Sequence, residues 1–406
     1  MNATIADFSA SFPVASTRLE GFIAAHRFER PTLVLDIDRV EQQYRALSAG
    51  LGPATIHYAV KANPGAEVLG NLAAAGIGVF DVASPVEMRA VRAACPGAVL
   101  HYNNPVRSTA EVAMAARIGI ASASVDCWRE LDKLSELPKS TEIAVRLALP
   151  VAGAAYDFGE KFGLGPDRAS DLLREVSARG FVPAITFHPG TQCADPAAWG
   201  AYIAVVADVA RRAGVQIARL NVGGGFASHR AGHAPDLEAI FTHIRAEVAR
   251  HFGDHAPDLV CEPGRAMVAD AFTLATRVKA LRDTGAVFLN DGIYGGLTEA
   301  RDIGAPGRIR VLAPNGTPRH APPVPRVIYG PTCDSIDRLP DPLPLPGDLA
   351  ESDYVLFDGM GAYAGSLSTG FNGYGPESPG IEVRFIVLRQ KRLTDARISS
   401  ADLTHL

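Results

Sequence analysis

Eight short runs rich in β-branched and aromatic residues, each followed by an alanine-rich stretch with apolar residues three and four apart, constrain this chain more than any other feature. The runs cover 54–60, 78–82, 98–103, 120–126, 142–149, 182–188, 219–222 and 258–262. Between them lie expected helices at 66–75, 85–94, 110–118, 128–136, 168–179, 197–213 and 236–252. A helix between successive strands carries the chain back across the sheet, so the strands pair in parallel. Eight such units are the number that closes a (β/α)8 (TIM) barrel.

After Asp270 helical spacing fades, and Pro and Gly thicken between Gly304 and Pro346. Isolated β runs remain at 273–281, 286–290, 324–329, 353–357 and 381–388, the pattern of an all-β domain. The expected organisation is α/β: an N-terminal segment, 1–36, packing with the β domain and holding a strand candidate at 32–35 that could belong to either domain, a barrel over 37–270, and a β-sandwich or β-barrel domain over 271–406. Apolar residues at 47% can fill two such cores. Lys and Arg number 39 against 44 Asp and Glu, a net charge of −5, and no basic run offers a stripe for phosphates, so nucleic acid is not an expected partner. The five cysteines are far apart and odd in number, which suits free thiols in a reducing compartment. No apolar run approaches the roughly 18 residues of a membrane span, and the expected location is cytoplasmic.

In a barrel of this kind chemistry gathers where the strands end. The first run ends in Lys61, the second in Asp81, the third in Asn103-Asn104, and the fifth contains Arg146. The sixth ends in His188-Pro-Gly-Thr191, the seventh in Gly223-Gly224-Gly225, and the eighth in Glu262-Pro-Gly264-Arg265. A lysine closing an apolar strand is desolvated, which is expected to lower its pKa and free the amine to attack an aldehyde. The glycine triplet lets backbone N–H groups approach a phosphate, with Thr191 and Arg265 as further donors. A carboxylate such as Glu262 can hold a pyridine nitrogen protonated, and His188 can stack on the ring. Each feature alone is commonplace; four strand ends sharing one face describe a pyridoxal 5′-phosphate (PLP) site.

The ordered set Tyr58-Ala-Val-Lys61-Ala-Asn, Phe187-His-Pro-Gly-Thr-Gln192, Gly223-Gly-Gly-Phe226, Cys261-Glu-Pro-Gly-Arg265, Gly330-Pro-Thr-Cys-Asp-Ser-Ile-Asp337 and Gly361-Ala-Tyr363 resembles the fold-type III PLP-dependent decarboxylases. That family includes ornithine, diaminopimelate and biosynthetic arginine decarboxylases and has an alanine racemase-like barrel. The resemblance implies that Lys61 forms the Schiff base, Glu262 faces the pyridine nitrogen and His188 stacks on the ring, with Asp81, Glu87 and Arg146 nearby. It assigns the phosphate to Thr191, Gly223, Gly224, Gly225, Gly264, Arg265 and Tyr363, and the substrate to Asp334, Tyr294, Asp302 and Phe371. It implies no metal. It further implies a head-to-tail homodimer in which each site borrows Cys333, as the proton donor to Cα, and Asp334 from its neighbour, with Lys161 paired to Asp337 across the interface.

Cys333-Asp334 resembles the ornithine and lysine branch, whereas diaminopimelate decarboxylases show Cys-Glu. The expected activity is therefore α-decarboxylation of a basic L-amino acid, ornithine, lysine or both. The segment Asn290–Asp302 departs from the pattern: Asp302 falls one residue early, and Glu299 and Arg301 alter the local charge. That keeps open diaminobutyrate, a diaminopimelate-like substrate or a modified amino acid of specialised metabolism. A racemase would carry an Arg where Glu262 stands. A non-catalytic regulator of the antizyme-inhibitor type would have lost PLP-binding residues, yet Lys61, His188 and Glu262 are all present.

Overall fold

The computed structural model describes residues 4–5, 18–52, 54–155, 161–374 and 386–388. Its centre is a ring of parallel strands in the order of the chain. The first barrel strand is split into Thr55–Ile56 and Tyr58–Ala59, and Val79–Val82, Val99–Tyr102, Ser122–Val125, Glu142–Arg146, Val182–Thr186, Arg219–Asn221 and Asp258–Cys261 follow. The ring closes because Tyr58–Ala59 pairs with the second strand while Thr55–Ile56 pairs with the eighth. At the break, His57 N donates to Cys261 O at 2.9 Å, and the chain then tightens into a 3-10 turn, Val60–Ala62, that lifts Lys61 into the mouth. One continuous strand over 54–60 is thus replaced by two short pieces and a turn.

The outer helices form where capping and spacing dictate. Ser108 caps the helix Thr109–Ile118 in a reciprocal box with Glu111, satisfying two amides that the first turn leaves without partners. Helix Pro196–Ala213 starts on proline behind the Asp195 cap and buries Trp199, Tyr202, Ile203, Val206 and Val209, spaced by three and four. Each such side chain contributes about 1.5–3 kcal/mol by leaving water.

The β domain is built around the long strand Phe272–Leu281, which pairs antiparallel with Thr32–Asp36 on one side and Tyr354–Asp358 on the other. The chain thus supplies a strand to this sheet, passes through helix Ile37–Leu51 into the barrel, and returns after Ala271. Thr4–Ile5 and Ile386–Leu388 add a further parallel pair beside Thr32–Asp36. The strand expected at 381–388 is seen over its last three residues; 381–385 lie outside the described residues. Helix Arg18–His26 covers the sheet with Phe22 and Ile23, which pack on Ala275, Leu312, Tyr354 and Leu356 in a second apolar core. Among the described residues, no helix is long and apolar enough to cross a membrane.

Candidate active site

Polar side chains fill the barrel from its floor to its mouth. At the floor, Arg219 and Glu142, the first residues of their strands, form an ion pair at 3.3 Å. Above them His57 and His101 lie with ring centroids 4.0 Å apart, and His101 Nδ1 meets Ser122 Oγ at 2.6 Å. Higher still, the amides of Asn221 and Asn103 both donate to Glu262 Oε1, so this buried carboxylate is held from two strands at one oxygen. Burial, then Asp81, pushes Glu262 up to about 8. Neither asparagine was a predicted site residue, although both stand at strand ends, the place where the other polar residues were found.

Lys61, Asp81, Arg146 and Glu262 form one electrostatic group at the mouth. Lys61 keeps exposed surface. The expectation of a depressed lysine is corrected here: burial pulls its pKa down, but Asp81, Tyr363 and Glu262 outweigh burial and the net shift is upward. Asp81 is raised by burial against the pull of Lys61, and its Oδ1 is buried with no hydrogen-bond partner in the chain. Glu87 lies farther out in role: its Oε2 accepts from Ala83 N at 2.6 Å and steadies the start of helix Pro85–Ala94. His188 Nδ1 accepts from Gly190 N at 3.1 Å, which places the ring proton on Nε2, and burial holds the imidazole well below its usual pKa, hence neutral.

The glycine triplet has a packing reason as well as an expected binding one. Gly223 and Gly225 have φ of +70° and +84°, and a Cβ on any of the three would come within 3.0 Å of a backbone carbonyl, from Phe187, Glu262 and Gly190 respectively. The His188 ring lies against Gly224 and Gly225. Gly264 is similarly walled by Ala59 and Ala62. Thr191 is buried beside this loop, and Tyr363, at φ +65°, donates its N–H to Ala62 O and lies under the Arg265 guanidinium at 4.8 Å. Arg265 itself is already forked onto Glu299 of the β domain, a contact absent from the sequence-based site because the two residues sit in different domains.

A second group lies on the β domain. Tyr294 OH donates to Asp334 Oδ2 at 2.5 Å and its ring lies 4.9 Å from that of Phe371. Cys333 is exposed, its N–H held by Asn372 Oδ1 at 3.0 Å. Asp302 is exposed and paired with its neighbour Arg301 at 3.2 Å. Asp337 is 1% exposed and accepts from Ile293 N, Thr332 N and Thr332 Oγ1. An ion pair with Lys161, which is itself exposed, would have to share a carboxylate already bonded three times within its own chain.

The mouth fits a phosphorylated pyridoxal: a lysine amine, a carboxylate held in one orientation, a neutral imidazole over glycines, and a buried arginine beside them. Residues 37–269 match the family model described as pyridoxal-dependent decarboxylase, pyridoxal binding domain. The chain is 32% identical to the lysine/ornithine decarboxylase of Selenomonas ruminantium over 86% of this chain and 89% of that one. It is 31% identical to the decarboxylase flvG of Aspergillus flavus, over 85% and 84%. The solved arginine decarboxylase of Paramecium bursaria Chlorella virus superposes with a TM-score of 0.80 at 25% identity, covering 92% of this chain and 99% of that one.

Proposed function

This chain belongs to the pyridoxal-dependent decarboxylases and is a PLP-dependent amino acid decarboxylase, and we propose that its substrate is a basic L-amino acid, ornithine or lysine before others. The observation that carries the reading is the convergence of Lys61, Asp81, Arg146, His188 and Glu262 on one barrel mouth. When bound, PLP supplies an aldehyde that joins amines and a ring that takes up the electrons released as CO2 leaves.

The chain's own residues do the rest. Lys61 holds the cofactor and yields to the substrate amine; Asp81 and Glu262 keep its ammonium paired while it waits. Asn103 and Asn221 fix Glu262 so that it meets a ring nitrogen in one orientation. His188, neutral and pinned by Gly190, offers a flat face without adding charge. Cys333 delivers the proton to Cα and Asp334 takes the distal ammonium, both from the partner in a homodimer. Support for that pairing comes from the β-domain face that carries them, where Ile336, Leu367 and Phe371 are 61%, 48% and 41% exposed. The five free cysteines support a cytoplasmic setting.

A second reading is favoured by one contact. Asp302 is neutralised by Arg301, so the short helix Ala300–Ile303 offers no free acid for a second ammonium. A substrate without a distal ammonium, or with a modified side chain, suits such a helix better. CO2 release across L-amino acids that differ in length and terminal charge decides between them: ornithine or lysine should lead by at least about tenfold. Preference for a neutral or acidic side chain would replace the first reading with the second.

A further inference from the structure

A buried charge cluster joins the two domains beside the mouth. Arg265 follows the eighth strand, Arg230 lies beyond the glycine triplet, and Glu299 reaches in from the β domain. Both terminal nitrogens of Arg265 meet the Glu299 carboxylate, Nη1 at 2.7 Å, and Arg230 Nη1 lies 3.8 Å from the same carboxylate. The side chains are 6%, 12% and 16% exposed for Arg265, Arg230 and Glu299. Burial and the nearby Arg265 push the Arg230 guanidinium down, evidence that the two cations feel each other. Two buried cations thus share one carboxylate, and Arg230 Nη2 also donates to Gly304 O at 2.7 Å.

We propose that Glu299 is an internal stand-in for an anion: it neutralises Arg265 and Arg230 while no phosphate is present, and so sets how tightly the cofactor's phosphate is held. The inference rests on the reading that Arg265 faces that phosphate. Removing one partner of a buried ion pair leaves uncompensated charge. Without Glu299 the phosphate-free protein keeps two buried guanidiniums that have lost the carboxylate they share, a state that a phosphate dianion relieves. Loss of the acid raises the free energy of the empty protein more than that of the loaded one, which is the same as tighter binding. Glu299 makes the cofactor exchangeable at the cost of affinity.

The test compares PLP with pyridoxal, which lacks the phosphate, on the full chain stripped of cofactor, reading dissociation constants by fluorescence and unfolding temperature. Glu299→Gln is expected to tighten PLP by roughly tenfold, to change pyridoxal by less than about twofold, and to lower the melting temperature of the stripped protein. Arg230→Gln is expected to act in the opposite direction, weakening PLP relative to pyridoxal by roughly tenfold. If the stripped Glu299→Gln protein does not stay folded, the rate of PLP release from the loaded protein serves instead and should fall by about the same factor. A PLP-to-pyridoxal preference that is unchanged or reduced in Glu299→Gln overturns the proposal, as does a release rate that rises. A wild-type protein that binds PLP no better than pyridoxal overturns the phosphate assignment of Arg265 and this proposal with it.

Discussion

The two halves of one barrel interior handle buried polarity in opposite ways. In the lower half His57 and His101 are kept neutral: burial and the charge of Arg219 hold both far below their usual pKa, His101 at about 3. In the upper half charges are gathered and balanced against each other, so Lys61 is raised by its acids and Glu262 is held by two amides. The lower half keeps its ion pair, Arg219 with Glu142, at the floor, and leaves His57 Nδ1 and Arg219 Nε without hydrogen-bond partners. The upper half carries the unpartnered Asp81 oxygen and a carboxylate raised to about 8, perturbations of the kind that gather at functional sites. What separates structure from function in this barrel is the sign of the arrangement, since both halves are buried and polar.

The widest separation between the halves comes from Lys61→Ala. Activity should fall by more than about a thousandfold, since the amine that joins the aldehyde is removed. Borohydride should no longer trap the cofactor on the peptide containing Tyr58 to Asn63. The melting temperature of the cofactor-free protein should change little, because the lower half is untouched. Residual trapping on that peptide would place the reactive amine elsewhere and break the comparison.

Glu262→Gln tests the upper half by charge alone. The loss expected is about a hundredfold in kcat, from a ring no longer held protonated. The same substitution has a pH signature in the cofactor-free protein. Glu262 is raised from 4.5 to about 8, so the folded state favours its neutral form. Stability from this group is fully present below about pH 4.5 and is lost as pH rises through about 8. Between pH 7 and 8, above the range in which the buried histidines contribute, wild type stripped of cofactor should therefore lose stability, and Glu262→Gln should flatten that loss. Equal slopes in urea titrations of the two proteins would show that Glu262 is ionised without cost.

Much of the lower and upper halves was legible in the sequence, because each strand ends where a polar or glycine-containing segment cuts an apolar run. Seven of the eight expected runs contain the observed strand to within a few residues, and the exception in form, the first, is broken at His57 and turned at Val60–Ala62. That break depends on closure against the eighth strand, a partner about two hundred residues away, and no local signal encodes it. The direction of the Lys61 shift was misread for a related reason: the apolar strand before it was visible, whereas the three acidic or phenolic groups around it come from other strands and from the β domain. Glu299 on Arg265 and the asparagine fork on Glu262 were missed because a pair joined across 34 or 159 residues leaves no spacing to read. Helix Ile37–Leu51, with Ile37, Val40, Leu47 and Leu51 buried, did carry a local pattern that the reading passed over.

The smallest expected effect isolates the lower half. His101 has a folded pKa of about 3 against an unfolded value near 6.5, so the folded state resists its protonation. Stability from this group is complete above about pH 6.5 and is lost as pH falls from there toward 3, opposite in sign to Glu262. Between pH 6.5 and 5 the loss should be about 2 kcal/mol for His101 alone. Ser122→Ala removes the hydroxyl that His101 Nδ1 meets at 2.6 Å and should cost a further 1–3 kcal/mol or so at neutral pH. Ser122→Ala should not alter the ratio of PLP to pyridoxal affinity at constant pH, because the Arg265, Arg230 and Glu299 cluster lies on the β-domain side of the mouth. If Ser122→Ala shifts that ratio while leaving the unfolding midpoint unchanged, the two halves are coupled through Asn221 and Glu262, and the division between a structural floor and a functional mouth fails.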